Sequence, residues 1–234
     1  MIDKRCGIEA ALRDIPDGAS ILVGGFGEVG TPLELINALI ERRLRDLTII
    51  SNNGGAGRIG LAALLASGAV RKLICSYPRS PGSEVFDQLY RDGKIELELV
   101  PQGTLAERIR AAGAGVGAFY TATSVGTPLA QGKETRVIGG REQVLEYALQ
   151  ADYSLVKAKA ADRWGNLVYS KTARNFGPIM CMAAKKSIVQ VSEIVELGEL
   201  DPEQIVTPSI FVHRVVHIEN SARSAAARIM ETVQ

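Results

Sequence analysis

From residue 20 to about 118 the chain alternates two textures. Short apolar runs at 20–23, 47–51, 72–76, 96–100 and 118–120 predict strands. Between them, apolar positions recur every three or four residues at 32–43, 59–67, 83–92 and 105–112, predicting helices. Leu33, Ile36, Ile40 and Leu44 show the spacing well. Thr31 and Glu34 have the separation of a capping box with Pro32 at the first helical position, and Thr104 with Glu107 repeats it. This alternation predicts an α/β fold, an open and mostly parallel sheet with helices on both faces.

After Gly126 the texture changes. A hairpin is expected at 136–138 and the segment after Gly139-Gly140, and a second strand pair at 153–158 and 167–169. A short helix near 179–184, strands at 188–191 and 210–218, and an Ala/Arg-rich C-terminal helix complete the reading. No run of Pro, Ser or charge resembles a linker, so residues 1–234 are expected to form one domain.

Composition narrows the partners. A formal net charge of +1 without basic or acidic runs argues against nucleic acid or an anionic membrane. No apolar stretch approaches the roughly 20 residues needed to cross a bilayer. The start, Met-Ile-Asp-Lys-Arg-Cys, lacks the apolar core of a signal peptide. Cys6, Cys75 and Cys181 are odd in number and widely spaced, which suits reduced thiols in the cytoplasm rather than disulfides or a zinc site.

The candidate chemistry centres on the first strand–turn–helix unit. Ile21 to Val23 run into a turn made of Gly24, Gly25, Phe26, Gly27, Glu28, Val29 and Gly30. A side-chain-poor turn followed by a helix start lets backbone approach a large anionic cofactor closely. The segment 25–30 also fits the dinucleotide pattern G-x-G-x-x-G, but the second strand ends in Asn52-Asn53-Gly54-Gly55 and supplies no carboxylate for a ribose. A purely structural glycine turn is the other reading. The chain has no Gly-x-Ser-x-Gly elbow, P-loop or His-Glu-x-x-His. His213 and His217, four apart in a strand-like run, would share a face, and without a third ligand a structural role is expected for both. No metal is expected.

Asp17-Gly18, the three aliphatics, Gly24-Gly25-Phe26 and Gly30-Thr31-Pro32 resemble the N-terminal signature of family I coenzyme A transferases. The resemblance continues through Ser51-Asn52-Asn53, the run from Val100-Pro101-Gln102-Gly103-Thr104 to Arg110, and Gly165-Asn166-Leu167. Ala173-Arg174-Asn175-Phe176 and Val212-His213-Arg214-Val215-Val216 extend it to all but the last dozen or so residues. It implies coenzyme A as co-substrate, with no permanently bound cofactor, and places the glycine turn near it. It maps Gln102 onto an amide that donates to a developing oxyanion, and Asn52 and Asn53 onto residues lining the active site. Asn53 alternatively serves an Asn-Gly turn.

The family's nucleophilic glutamate lies in a Ser-Glu-Asn-Gly motif that this sequence lacks; Ser192-Glu193 continues to Ile194 and Ser83-Glu84 to Val85. The resemblance therefore implies an A (alpha) subunit that is active only with a B (beta) subunit, in a heterodimer or heterotetramer. Within the family, Cys75-Ser76-Tyr77-Pro78-Arg79 and Val85-Phe86-Asp87-Gln88-Leu89-Tyr90 resemble the branch that moves coenzyme A from succinyl-CoA to 3-oxoadipate. Phe211-Val212-His213-Arg214 is shared with the branch that uses acetoacetate. Arg79 is the expected anchor for a distal substrate carboxylate, the alternative being a solvated loop arginine. Two rivals of other classes remain: a nicotinamide oxidoreductase, and a non-catalytic acyl-CoA or sugar-phosphate binding module.

Overall fold

The computed structural model describes residues 2–219. A short α1 (Ile8–Leu12) precedes the alternating series β1 (Ser20–Val23), α2 (Leu33–Glu41), β2 (Leu47–Ile50), α3 (Gly60–Ala66), β3 (Val70–Cys75), α4 (Glu84–Arg91), β4 (Glu96–Leu99) and α5 (Gln102–Gly113). The second half contributes β5 (Ala118–Thr121), β6 (Thr135–Ile138), β7 (Arg141–Tyr147), β8 (Ala151–Asp162), β9 (Leu167–Val168), α6 (Gly177–Ala183), β10 (Ala184–Val195) and β11 (Arg214–His217).

The main sheet runs β11-β10-β8-β1-β2-β3-β4, every one of these neighbours parallel, with β9 antiparallel beside β8. The chain winds outward from β1 to β4, then returns to the other side of β1 as β8. Strand order therefore reverses at β1, and the carboxyl ends of the strands beside such a reversal open a crevice.

Alternation along each strand explains the two helical layers. Ile21 and Val23 of β1, Ile49 of β2 and Leu73 of β3 pack with Leu35, Leu39, Leu64 and Phe86 from α2, α3 and α4. Leu22, Ile50 and Ile74 point the other way and pack with Leu105 and Ile109 of α5 and Met180 of α6. Each such fully buried aliphatic side chain contributes about 1.5–3 kcal/mol. The parallel sheet with helices on both faces is thus the expected fold class.

Several local expectations are corrected. The strand at 118–120 does not extend the parallel sheet: β5 joins β7 and β6 in a separate antiparallel sheet. Four apolar or amphipathic residues suit either kind of pairing, so their pattern does not choose. Helix α5 begins at Gln102, so Thr104 lies inside it, its hydroxyl buried without a partner among the described residues, and Glu107 pairs with Arg110. Thr31 does not cap α2 either; its hydroxyl donates to Gly27 O (3.2 Å). The Leu35 amide of α2 instead donates to Gln190 Oε1 (3.2 Å), and Gln190 Nε2 donates to Glu34 (2.5 Å), so the first turn is capped from β10. The expected strand at 210–218 is a 3₁₀ turn, Ser209–Phe211, followed by β11. The expected C-terminal helix lies outside the described residues.

Candidate active site

Four loops leave the carboxyl edge of β1 to β4 and meet. The first is the glycine turn. Gly24 N donates to Leu155 O of β8 (2.9 Å), tying its start to the sheet, and Phe26 and Val29 exchange backbone hydrogen bonds of 3.0 and 3.1 Å in a tight hairpin. Gly25 has φ +130°, and an added Cβ would lie 2.5 Å from Thr31 Oγ1. Gly30 has φ +79°, and its Cβ would lie 2.4 Å from Ala173 O. Both positions require glycine, for conformation and for space. The hairpin tip leaves Phe26 and Val29 about half exposed.

After β2, Asn52 is buried and accepts on its carbonyl oxygen from the backbone amides of Ser76 (3.2 Å) and Tyr77 (3.0 Å), which follow β3. Its side-chain Oδ1 accepts from Gln102 Nε2 at 2.7 Å. Gln102 opens α5 just beyond β4 and is exposed. This bond fixes which end of the carboxamide is the donor and leaves its second N–H free for another acceptor. Asn53 Oδ1 accepts from Gly55 N (2.8 Å), the geometry of an Asx turn.

Between the glycine hairpin and the loops after β2, β3 and β4 lies a cavity of about 420 Å³. Its walls include Phe26, Gly27, Glu28, Asn52, Asn53, Ser76, Tyr77, Ser80 and Gln102. Of the expected site residues, Gln102, Asn52, Asn53 and Phe26, Gly27 and Glu28 of the glycine turn line this cavity, whereas Gly24, Gly25, Val29 and Gly30 do not; sequence reasoning did not single out Ser76 or Ser80. Both lie just beyond β3, and their position at a strand's carboxyl end is the signal that finds them. The Ser76 hydroxyl is buried with no partner among the described residues.

Glu28 supplies the only carboxylate among the cavity-lining residues; the residue is exposed at its surface, and partial desolvation by the protein around its carboxyl raises its pKa above the ordinary value. Burial also pushes the Cys75 thiol up to about 12, so it stays neutral at the end of β3. Arg79 is not among the lining residues; its Nε donates to Asp87 Oδ1 on α4 (2.6 Å), with the side chain 58% exposed.

A wider depression of about 730 Å³ lies between residues 168–175 and 203–206. It holds none of the expected site residues, which instead line the smaller cavity. His213 and His217 do not come together as ligands. His213 Nδ1 accepts from Ser187 N (3.1 Å), and burial, together with nearby Lys4, Lys186 and Arg214, lowers its pKa. His217 Nε2 lies 3.3 Å from Ser192 O. Among the described residues, no three His, Cys, Asp or Glu side chains stand together as a metal site.

A family profile described as Coenzyme A transferase matches residues 7–217. The chain belongs to the coenzyme A transferase family. Among its relatives, the A subunit of 3-oxoadipate CoA-transferase from Pseudomonas putida is 63% identical over 94% of this chain and 96% of that protein. The protein of the same description from Acinetobacter baylyi is 60% identical over 97% of this chain and all of that one. The A subunit of succinyl-CoA:3-ketoacid coenzyme A transferase from Xanthomonas campestris is 52% identical over 89% of this chain and 86% of that one.

Two solved structures share the fold. An acyl-CoA transferase of Escherichia coli O157:H7, in a thioester complex with CoA, superposes with a TM-score of 0.81 at 23% identity over 93% of this chain. This transferase-family chain spans 47% of that longer one. Glutaconate coenzyme A-transferase from Acidaminococcus fermentans gives 0.79 at 20% identity, over 92% of this chain and 76% of that one. No helix among the described residues is long and apolar enough to cross a membrane.

Proposed function

We propose that this chain is the A subunit of a heteromeric transferase that moves coenzyme A from succinyl-CoA to 3-oxoadipate, with the nucleophilic glutamate supplied by a B subunit. The observation that carries the reading is the Gln102 carboxamide, oriented by Asn52 at the mouth of a cavity facing the glycine turn. An amide held before the reaction can stabilise negative charge that develops on a carbonyl oxygen without reorganising. The identity to the 3-oxoadipate subunits supports the substrate choice.

In this reading the partner's carboxylate attacks the succinyl thioester carbonyl, giving a mixed anhydride and coenzyme A thiolate. The thiolate then attacks the glutamyl carbonyl, releasing succinate and leaving coenzyme A on the enzyme as a thioester. 3-Oxoadipate runs the same two steps in reverse and leaves as 3-oxoadipyl-CoA, regenerating the free glutamate. Each addition places negative charge on a carbonyl oxygen, and the Gln102 N–H faces that charge.

The glycine turn, Gly24 to Gly30, forms the wall along coenzyme A, and Asn53 shapes the loop beside it. Arg79 serves the distal carboxylate only by leaving Asp87. The chain acts as one unit, supported by Arg108 of α5, which pairs with Glu98 of β4 and donates to Tyr147 O of the small sheet.

Co-expression with a partner chain that carries Ser-Glu-Asn-Gly, followed by assay against 3-oxoadipate, acetoacetate and short fatty acids, tests this. Ping-pong turnover that needs both chains and favours 3-oxoadipate is expected. Preference for acetoacetate would support the second reading, part of a succinyl-CoA:3-ketoacid transferase, which the 52% identity to such a protein favours. Binding of acyl-CoA without transfer would mark a non-catalytic module.

A further inference from the structure

We propose that Asn175 is a positioning residue, a single carboxamide that clamps both ends of the glycine hairpin and sets its shape toward the cavity. The clamp comes from a remote part of the chain, the short 3₁₀ turn Lys171–Arg174 before α6. Asn175 Oδ1 accepts from Gly25 N (3.2 Å), at the start of the hairpin. Its Nδ2 donates to Val29 O (2.9 Å), at the end. The two contacts span 150 and 146 residues of sequence.

A carboxamide alone has this chemistry at this length. Aspartate keeps the acceptor and loses the donor, leucine loses both, and glutamine adds a methylene where there is no slack. The surroundings fit the side chain closely. Oδ1 also accepts from Phe176 N (2.7 Å), and Nδ2 lies 3.3 Å from both Thr172 O and Ala173 O. An aspartate oxygen in the place of Nδ2 would face three carbonyl oxygens.

The backbone shows the same purpose. Asn175 adopts φ +21° and ψ −114°, a conformation that L residues rarely hold and that persists when the surroundings over-determine it. Ala173 O in the same turn is the atom against which Gly30 packs so closely that no Cβ fits. The turn therefore meets the hairpin at Gly25, Val29 and Gly30. Asn175 lines the wider depression and not the Gln102 cavity. The consequence for catalysis rests on the proposed role of the hairpin along coenzyme A; the clamp itself does not.

The experiment has two arms. Hydrogen exchange of peptides covering residues 24–31 is measured on the full chain for the parent, Asn175→Asp and Asn175→Gly. Glycine accepts the positive φ, so that variant removes the clamp without adding backbone strain. Faster exchange of the hairpin amides in both variants, with β1 unchanged, is expected; unchanged hairpin exchange would overturn the proposal.

The second arm measures kinetics of each variant assembled with its partner chain. The expected result is a fall in kcat of about 10²-fold, the scale for a misplacement near 1 Å, with the KM for 3-oxoadipate unchanged. Intact kcat per assembled site together with unchanged hairpin exchange would mark a merely structural role and overturn the proposal. Faster hairpin exchange with undiminished kcat would keep the clamp and overturn the proposed place of the hairpin along coenzyme A.

Discussion

Replacing Gln102 by alanine separates catalysis from folding, because the structure gives the two effects different sizes. The side chain is exposed and makes one side-chain hydrogen bond, to Asn52. Its loss costs about 0.5–1.5 kcal/mol of stability, the net value of one such bond. It leaves no cavity in the core. If the amide faces the oxyanion, loss of a single preorganised donor lowers kcat by about 10²–10³-fold, or about 2.7–4 kcal/mol of transition-state stabilisation. The assay is formation of 3-oxoadipyl-CoA by the assembled complex at saturating substrates, with assembly checked by size and melting temperature. Asn52→Ala removes the acceptor that orients the amide and is expected to lower kcat by less, since Gln102 remains. A Gln102→Ala complex of normal size turning over near the parent rate would refute the oxyanion role.

Gly30→Ala combines a positive φ with a Cβ 2.4 Å from Ala173 O; it is expected to cost at least the ~1–2 kcal/mol of a left-handed backbone, read as a lower melting temperature. Lys185 and the Ser20 hydroxyl and amide hold the Asp152 pKa at about 2, below its unfolded value. Its contribution is therefore present above the unfolded pKa and is lost as pH falls through 3.8 toward 2. With the side chain 38% exposed, the effect is screened to about 1 kcal/mol, and Asp152→Asn should flatten that part of the stability–pH curve. Arg79→Ala is expected to lower kcat/KM for 3-oxoadipate selectively if the guanidinium leaves Asp87 for substrate; equal loss on acetoacetate, or none, removes it from the specificity site.

The first half of the fold was legible because its signals are local. Ile21 to Val23 ending in glycines, and apolar positions at helical spacing after Pro32, fixed β1 and α2 to within two residues. The strand–loop order then put Asn52 and Gln102 at neighbouring carboxyl ends, where their side chains meet. What sequence did not reveal depends on distant partners. Gln190, on β10, caps the helix whose start Thr31 marks in the sequence, and Asn175 clamps a hairpin nearly 150 residues earlier. Arg79 shows a different limit: the residue was visible, but its pairing with Asp87 on α4 is set by tertiary packing.

In the proposed reaction this chain orients charge and coenzyme A while its partner supplies the nucleophile. Intact-mass measurement of both chains, after the assembled complex meets succinyl-CoA with no acceptor acid, tests it most directly. The expected result is a coenzyme A thioester on the partner chain, at the glutamate of Ser-Glu-Asn-Gly, with this chain at its unmodified mass. An adduct on this chain, above all at Glu28, whose carboxylate lines the cavity, would contradict it.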